Sequence, residues 1–333
     1  MAKPVGALSL DLDNKWSYMK THGDPGWETF PSYLDVVVPR VLDVLGRWGW
    51  TITVFVVGQD AALEPNREAL RALSAAGHEF GNHSFRHEPW LHLYAESEIE
   101  QEIARAEEAI EAATGQRTQG FRGPGYSLSQ STLRILEQRG YLYDASTLPT
   151  FLGPLARAYY FLASRLVREE KAQRKALFGH LRDGLRPVRP YRWQLEDGQL
   201  LEIPVTTMPV LKLPFHFSYL LYISTFSATL AVLYFKMALR MCQMTGTEPS
   251  LLLHPLDFLG VEDVPELAFF PAMALESSRK LNLLNRFLET LQARYAVVSM
   301  GEQARKLQRS ESLRVRSPEE LGLKPSRRRS SSS

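Results

Sequence analysis

The sequence predicts an α/β fold on parallel strands. Three observations carry this: short apolar runs rich in β-branched residues, amphipathic runs with helical spacing between them, and glycine or proline where one gives way to the other. GALSLDLD (6–13) opens as a strand, and PSYLDVVVPRVLDVLGRWG (31–49) follows with helical spacing until Gly46 and Gly49. TITVFVVG (51–58) is a β-branched strand closed by glycine, and PNREALRALSAAGH (65–78) is an amphipathic helix. EFGNH (79–83) is a short strand leading into a histidine pair. ESEIEQEIARAEEAIEAATG (96–115) is a strong helix, with Ser97 as N-cap and Gly115 as its stop. TQGFRGPGYS, QSTLRILEQRG and YLYDAST then read as strand, helix and strand. Alternation at this size gives parallel strands joined by crossovers, in an open sheet or a barrel.

Residues 151–200 break the pattern with a long Arg- and Lys-rich helical run, LARAYYFLASRLVREEKAQRKALFGHLRDGLR, and a proline-containing turn, RPVRPYRW. This reads as an insertion over the mouth of a site. LLEIPVTTMP returns as a strand, EPSLLLHPLDF is another, ESSRKLNLLNRFLETLQARY is the last long helix, and YAVVSM closes the sheet. From about Gln308 the chain is polar and ends SRRRSSSS, which predicts a disordered, partly basic tail over 308–333. The catalytic domain is expected over 1–307.

At 333 residues with 44% hydrophobic and 23% charged residues, the chain has the composition of a globular protein. A net charge of +2 gives no argument for nucleic acid. One cysteine, Cys242, excludes an internal disulfide, and MAKPVGALSLDLD lacks a secretory apolar region, so the expected location is the cytoplasm. Residues 214–235, PFHFSYLLYISTFSATLAVLYF, have nearly the length of a membrane span. Five Ser and Thr residues dilute the segment and Lys212 and Lys236 bracket it, so a buried or interface-lying helix is expected instead.

Four groups of residues carry chemistry. His83 and His87, four apart, lie on one face of a helix or turn, a spacing suited to one cation although common by chance. In SLDLD, Asp11 and Asp13 share one face of a strand end, where two like charges repel unless a cation or donor lies between them. Arg122 precedes a glycine-flanked proline that can turn sharply and expose N–H groups. His254 ends an apolar run before Pro255, a place suited to proton transfer.

In their order, SLDLD, HSFRH, RGPGYS, YDAST and LLLHPLD resemble the motifs of the polysaccharide deacetylases, carbohydrate esterase family four and its cytosolic relatives, over about residues 6–305. The resemblance implies an irregular (β/α)7 barrel, with the helical insertion (151–245) between the fourth and fifth motifs. It also implies one divalent metal, usually zinc with cobalt, nickel or manganese as alternatives, on Asp13, His83 and His87. Asp11 would be the general base, Arg122 would hold Asp11 in place, and His254 would protonate the leaving amine. The Gly125 N–H would stabilise the oxyanion, and Asp144 and Asp257 would orient Arg122 or His254. Two departures stand out. Leu12 separates the two aspartates, which are adjacent in the typical motif, and Gly125 stands where many members carry an aromatic. Trp16 or Tyr126 could supply the missing wall by stacking on a sugar ring.

The expected activity is removal of an N-acyl group, most simply acetyl, from an amino sugar. The apolar 214–235 segment, the basic 165–192 region and the Arg-rich tail suggest a lipid-linked substrate and peripheral contact with the cytoplasmic face of the inner membrane. A deformylase or cyclic-amide hydrolase of the same fold is one alternative. A barrel that binds glycan or lipid without catalysis is another.

Overall fold

The structure is a computed structural model that describes residues 3–153 and 181–323. Most of the basic helical run (155–180) and the end of the tail (324–333) lie outside the described residues. Among the described residues ten strands form one sheet: β1 (Val5–Leu12), β2 (Thr53–Val56), β3 (Glu79–Asn82), β4 (Gly120–Phe121), β5 (Tyr143–Asp144), β6 (Tyr191–Gln194), β7 (Gln199–Glu202), β8 (Ser250–Leu253), β9 (Ala296–Val298) and β10 (Val315–Arg316). Their order is β10-β6-β7-β5-β4-β3-β2-β1-β8, with β9 also pairing β1. Every pair is parallel except the β6–β7 hairpin. The run from β7 to β8 holds seven strands, and its ends meet beyond β7. There the Thr206 N–H donates to the Ser250 carbonyl at 2.9 Å and the Ser250 N–H donates to Thr206 Oγ1 at 2.8 Å. This seven-strand parallel run accords with the irregular (β/α)7 barrel that the resemblance implied.

Helices clothe the sheet: α1 (Lys15–His22), α2 (Leu34–Gly46), α3 (Gly58–Ala62), α4 (Arg67–Ala75), α5 (Glu96–Thr114) and α6 (Gln130–Gln138) in the first half. α7 (Phe217–Phe226), α8 (Ala228–Thr245), α9 (Ser277–Gln292) and α10 (Met300–Gln308) follow. α2 shows why these residues make helices. Leu34, Val37, Val38, Val41, Val44 and Leu45 recur on one face and are all buried. Burying each such side chain contributes roughly 1.5–3 kcal/mol before entropy is counted.

Four expectations change. Ser97 does not cap α5: the helix begins at Glu96, and the Glu98 carboxylate accepts from the Ala95 N–H at 2.8 Å, which moves the start to Ala95. The RPVRPYRW turn contains a strand instead, because Tyr191 and Trp193 alternate inward and pair antiparallel with β7. The apolar segment is two helices, separated at Ser227, whose extended backbone and side chain cap α8 through the Leu230 N–H at 3.2 Å. Among the described residues no helix is long and apolar enough to cross a membrane. Finally, the tail is ordered to residue 323: β10 pairs with β6, and Leu323 packs into a cluster with Leu91, Leu128, Tyr191 and Trp193.

Candidate active site

The chemistry-bearing residues gather at the C-terminal ends of the strands, where barrels of this kind carry their sites. Asp11 lies near the end of β1 and Asp13 just beyond it, both buried. His83 follows β3, Arg122 follows β4, and His254 follows β8. β1 and β8 are in register at Leu10 and Leu253, so Asp11 and His254 leave neighbouring strands at the same level.

The two histidines are brought together by a loop and not by a helix. Ser84 (φ 57°) and His87 (φ 53°) are both left-handed, a conformation that costs of order 1 kcal/mol or more per non-glycine residue. Three hydrogen bonds, two of them buried, hold the loop in it. Asn82 Oδ1 accepts from the Ser84 N–H at 2.8 Å, and Glu102 Oε2 accepts from the N–H groups of Phe85 (3.2 Å) and Arg86 (2.8 Å).

As a result His83 Nε2 and His87 Nε2 converge on Asp13 Oδ1, at 3.3 and 3.0 Å. The three ligand atoms lie within 4.8 Å of one another, and among the described residues this is the one group of its kind. Asp13 Oδ1 is buried and makes no well-aligned hydrogen bond in spite of these two neighbours. His83 Nδ1 meets the Arg122 carbonyl at 2.6 Å. A donated proton there leaves the Nε2 lone pair facing the cluster. Burial pushes the Asp13 carboxyl up, but the imidazoles outweigh it and hold Asp13 well below the usual carboxylate range. Burial lowers His83, yet Asp11 and Asp13 outweigh it and raise the imidazole. The pocket favours positive charge between these groups. An orphaned carboxylate oxygen, two imidazole nitrogens and that preference together fit a divalent cation.

Beside this cluster, Arg122 is fully buried and donates from Nη1 to Asp11 Oδ1 at 2.6 Å and to Ser9 Oγ at 2.9 Å. Its Nε donates to the Ala145 carbonyl at 3.1 Å, and its guanidinium lies over the Phe55 ring, 4.3 Å from the centroid. Asp11 is therefore held in one orientation. Asp144 makes no hydrogen bond to Arg122. It accepts from Ser146 Oγ at 2.6 Å, and that oxygen accepts from the Gly123 N–H at 2.8 Å, so Asp144 bears on the 123–127 loop. The loop makes Gly125 (φ 57°) necessary, since a Cβ there would meet Pro89 Cβ at 3.2 Å. That close, left-handed backbone accounts for glycine where an aromatic is common. Tyr126 is half-buried near Asp11 and Asp13, and burial with those charges raises its phenol.

The His254 side has a partner that sequence reading passed over. Ser218, noted only as diluting an apolar run, donates from Oγ to Asp257 Oδ1 at 2.8 Å and lies 3.1 Å from His254 Nδ1. With its one proton committed to Asp257, the Ser218 oxygen accepts from the imidazole, leaving His254 Nε2 free for substrate. Asp257 Oδ2 also accepts from the His254 N–H at 2.8 Å. A second imidazole, His216, lies 5.7 Å from His254 between ring centroids and is buried with Nδ1 unpartnered. Burial, then His254 and Arg122, hold it well below its usual range, so it is neutral. No sequence signal marks either residue, because both lie in a segment that hydropathy reads as featureless.

Trp16 is not a sugar platform. Its ring is buried, packed edge-on against Phe30 at 5.3 Å, and its indole N–H donates to Asp60 at 2.9 Å. A face enclosed in that way has no surface to offer a ligand.

Comparison with known proteins agrees with this geometry. A family model described as polysaccharide deacetylase matches residues 21–143, which include His83, His87, Arg122 and Gly125 but not Asp11, Asp13 or His254. A peptidoglycan deacetylase of Helicobacter pylori is 29% identical over 162 residues, covering 46% of this chain and 53% of the relative. The peptidoglycan-N-acetylmuramic acid deacetylase PdaA of Bacillus subtilis is 32% identical over 110 residues, covering 33% and 41%. The chain thus spans about half or less of the length of these relatives. Among solved structures, a Mycobacterium smegmatis chain assigned to the polysaccharide deacetylases superposes with a TM-score of 0.59 at 19% identity, over 95% of this chain and 98% of that one. The allantoinase Puue superposes at 0.53 and 17% identity, over 93% and 92%. These two show the shared fold. The family model and the curated relatives, beside the strand-end cluster, make residues 21–143 similar to the polysaccharide deacetylases.

Proposed function

We propose that this chain is a metal-dependent hydrolase that removes the acetyl group from an N-acetylated amino sugar. The observation that carries the reading is the convergence of Asp13, His83 and His87 beside a carboxylate locked by a buried arginine, with His254 on the neighbouring strand. A divalent ion on these three residues, zinc in the first instance, supplies Lewis acidity toward water and the amide carbonyl.

The remaining work falls to the chain. Asp11, oriented by Arg122, takes a proton from the attacking water. His254 gives a proton to the departing amine from Nε2, while Nδ1–H stays on Ser218. The Ser218–Asp257 arm stabilises the cationic imidazolium that this role requires. The N–H at Gly125 is assigned to the carbonyl oxygen as it gains charge, a role that rests on the resemblance. Tyr126 lines the same mouth and contacts the sugar. The peptidoglycan relatives support the amino-sugar class. The narrower form of the proposal places that sugar on a lipid, at the cytoplasmic face of a membrane, and its support is the apolar helix pair next to His254.

The test is acetate and formate release from a panel of N-acetyl and N-formyl amino sugars, with metal content measured on the same protein and on His83→Ala and Asp13→Ala. Acetate release, with about one divalent ion per chain lost in both variants, is expected. Formate release alone would make the protein a deformylase. Glycan binding with no release would make it a binding barrel.

A further inference from the structure

α8 is apolar on two sides. Ala231, Val232, Phe235, Ala238, Leu239 and Cys242 face the core. On the other side Leu230, Leu233, Met237 and Met244 are 54%, 58%, 48% and 77% exposed, continuing from Phe226 at the end of α7, which is 73% exposed. Steps of three, four and seven residues put Leu230, Leu233, Met237 and Met244 on one face of α8, a stripe roughly 21 Å long at the helical rise. An apolar stripe of that length on an outer surface marks a contact.

The charges beside it say with what. From residue 203 to residue 247 there is no aspartate or glutamate, while Lys212, Lys236 and Arg240 are present. Lys236 and Arg240 are exposed and interleave with the stripe. A second copy docked about a two-fold axis would bring these cations against their own counterparts. An anionic lipid surface receives them favourably and takes up the apolar side chains between its headgroups.

We propose that the outer face of α7 and α8 lies on an anionic lipid bilayer. α7, ten residues and roughly 15 Å long, starts at Phe217 beside His216 and Ser218 and ends at Phe226, just before the stripe. The contact would therefore hold the site within one short helix of the bilayer, in reach of an amino sugar carried on a lipid. That consequence rests on the deacetylase reading; the contact itself does not.

The experiment is co-sedimentation of the full chain with vesicles of phosphatidylcholine alone and of phosphatidylcholine with phosphatidylglycerol, beside a Leu230→Asn/Leu233→Asn/Met237→Gln variant and a Lys236→Ser/Arg240→Ser variant. Circular dichroism melts check that each is folded. The wild type is expected to bind the anionic vesicles. The apolar variant should bind at least about tenfold more weakly, and the charge variant should lose the preference for anionic lipid. Hydrolysis of a water-soluble N-acetylated oligosaccharide should be unchanged in the apolar variant. No binding by the wild type, or undiminished binding by the folded apolar variant, would overturn the proposal. So would a wild-type dimer that the apolar variant dissociates, since the stripe would then be a self-contact. Vesicle binding that the variant abolishes, with no sugar hydrolysed by any form, would leave the surface standing and remove the deacetylase reading.

Discussion

Replacing Ser218 by alanine removes one hydroxyl that serves two partners. Asp257 Oδ1 loses its 2.8 Å donor, and His254 Nδ1 loses the oxygen 3.1 Å away. Burial already raises Asp257, offset by His254 and Ser218, so the carboxyl is sensitive to a missing donor. A hydrogen bond to a charged group contributes roughly 1.5–3 kcal/mol. Because His254 changes charge during proton donation, most of that appears in the barrier, at about 1.4 kcal/mol per tenfold in rate. Ser218→Ala is therefore expected to lower kcat by ten- to a hundredfold, with KM changing less than about threefold. Ser218→Thr, which keeps the hydroxyl, should recover most of the rate. The assay is steady-state acetate release on protein whose melting is checked in parallel. A Ser218→Ala enzyme with unchanged kcat, or one whose whole loss lies in KM, would refute the arm as the support of the proton donor.

Trp16→Phe should cost about 1–3 kcal/mol in urea unfolding, because Asp60 loses a buried donor, and should leave KM for any sugar within about twofold. A raised KM at unchanged stability would put the indole in the site after all. Arg122→Met leaves the Asp11 carboxylate buried and unpaired, and is expected to destabilise by about 3–5 kcal/mol as well as abolish turnover. A variant as stable as wild type would show that the pair is not what orders the strand ends. Burial pushes Asp60 from its usual 3.8 to about 7, partly offset by Asn14 and Trp16, with Asp13 adding to the rise. The fold thus favours the protonated carboxyl. Its contribution is complete below about 3.8 and is lost as pH rises through about 7, by roughly 4 kcal/mol at most. Asp60→Asn should flatten the fall in stability between pH 5 and pH 8. Parallel curves for the two proteins would disprove it.

The alternation of strands and helices was legible because it is local. The period-3.6 pattern reports which face of a segment is apolar, and α2, α4 and α5 follow from it directly, while β2 follows from an unbroken β-branched run. The hairpin of β6 and β7 was missed for the same reason: four residues beside prolines carry too short a pattern, and only pairing with β7 makes Tyr191–Gln194 a strand. The Ser97 cap failed over a single reciprocal bond from Glu98.

For the site, chain order and residue type were enough to single out Asp11, Asp13, His83, His87, Arg122 and His254. Strand ends are sequence features, and a parallel barrel delivers all its strand ends to one rim. Other features depended on contacts between distant segments. Ser218 reaches His254 across 36 residues, and Asp60 draws the Trp16 indole inside from 44 away. None of these has a period or a spacing to read. Each depends on strand register and on how the loops return, and those are decided only when the whole core packs.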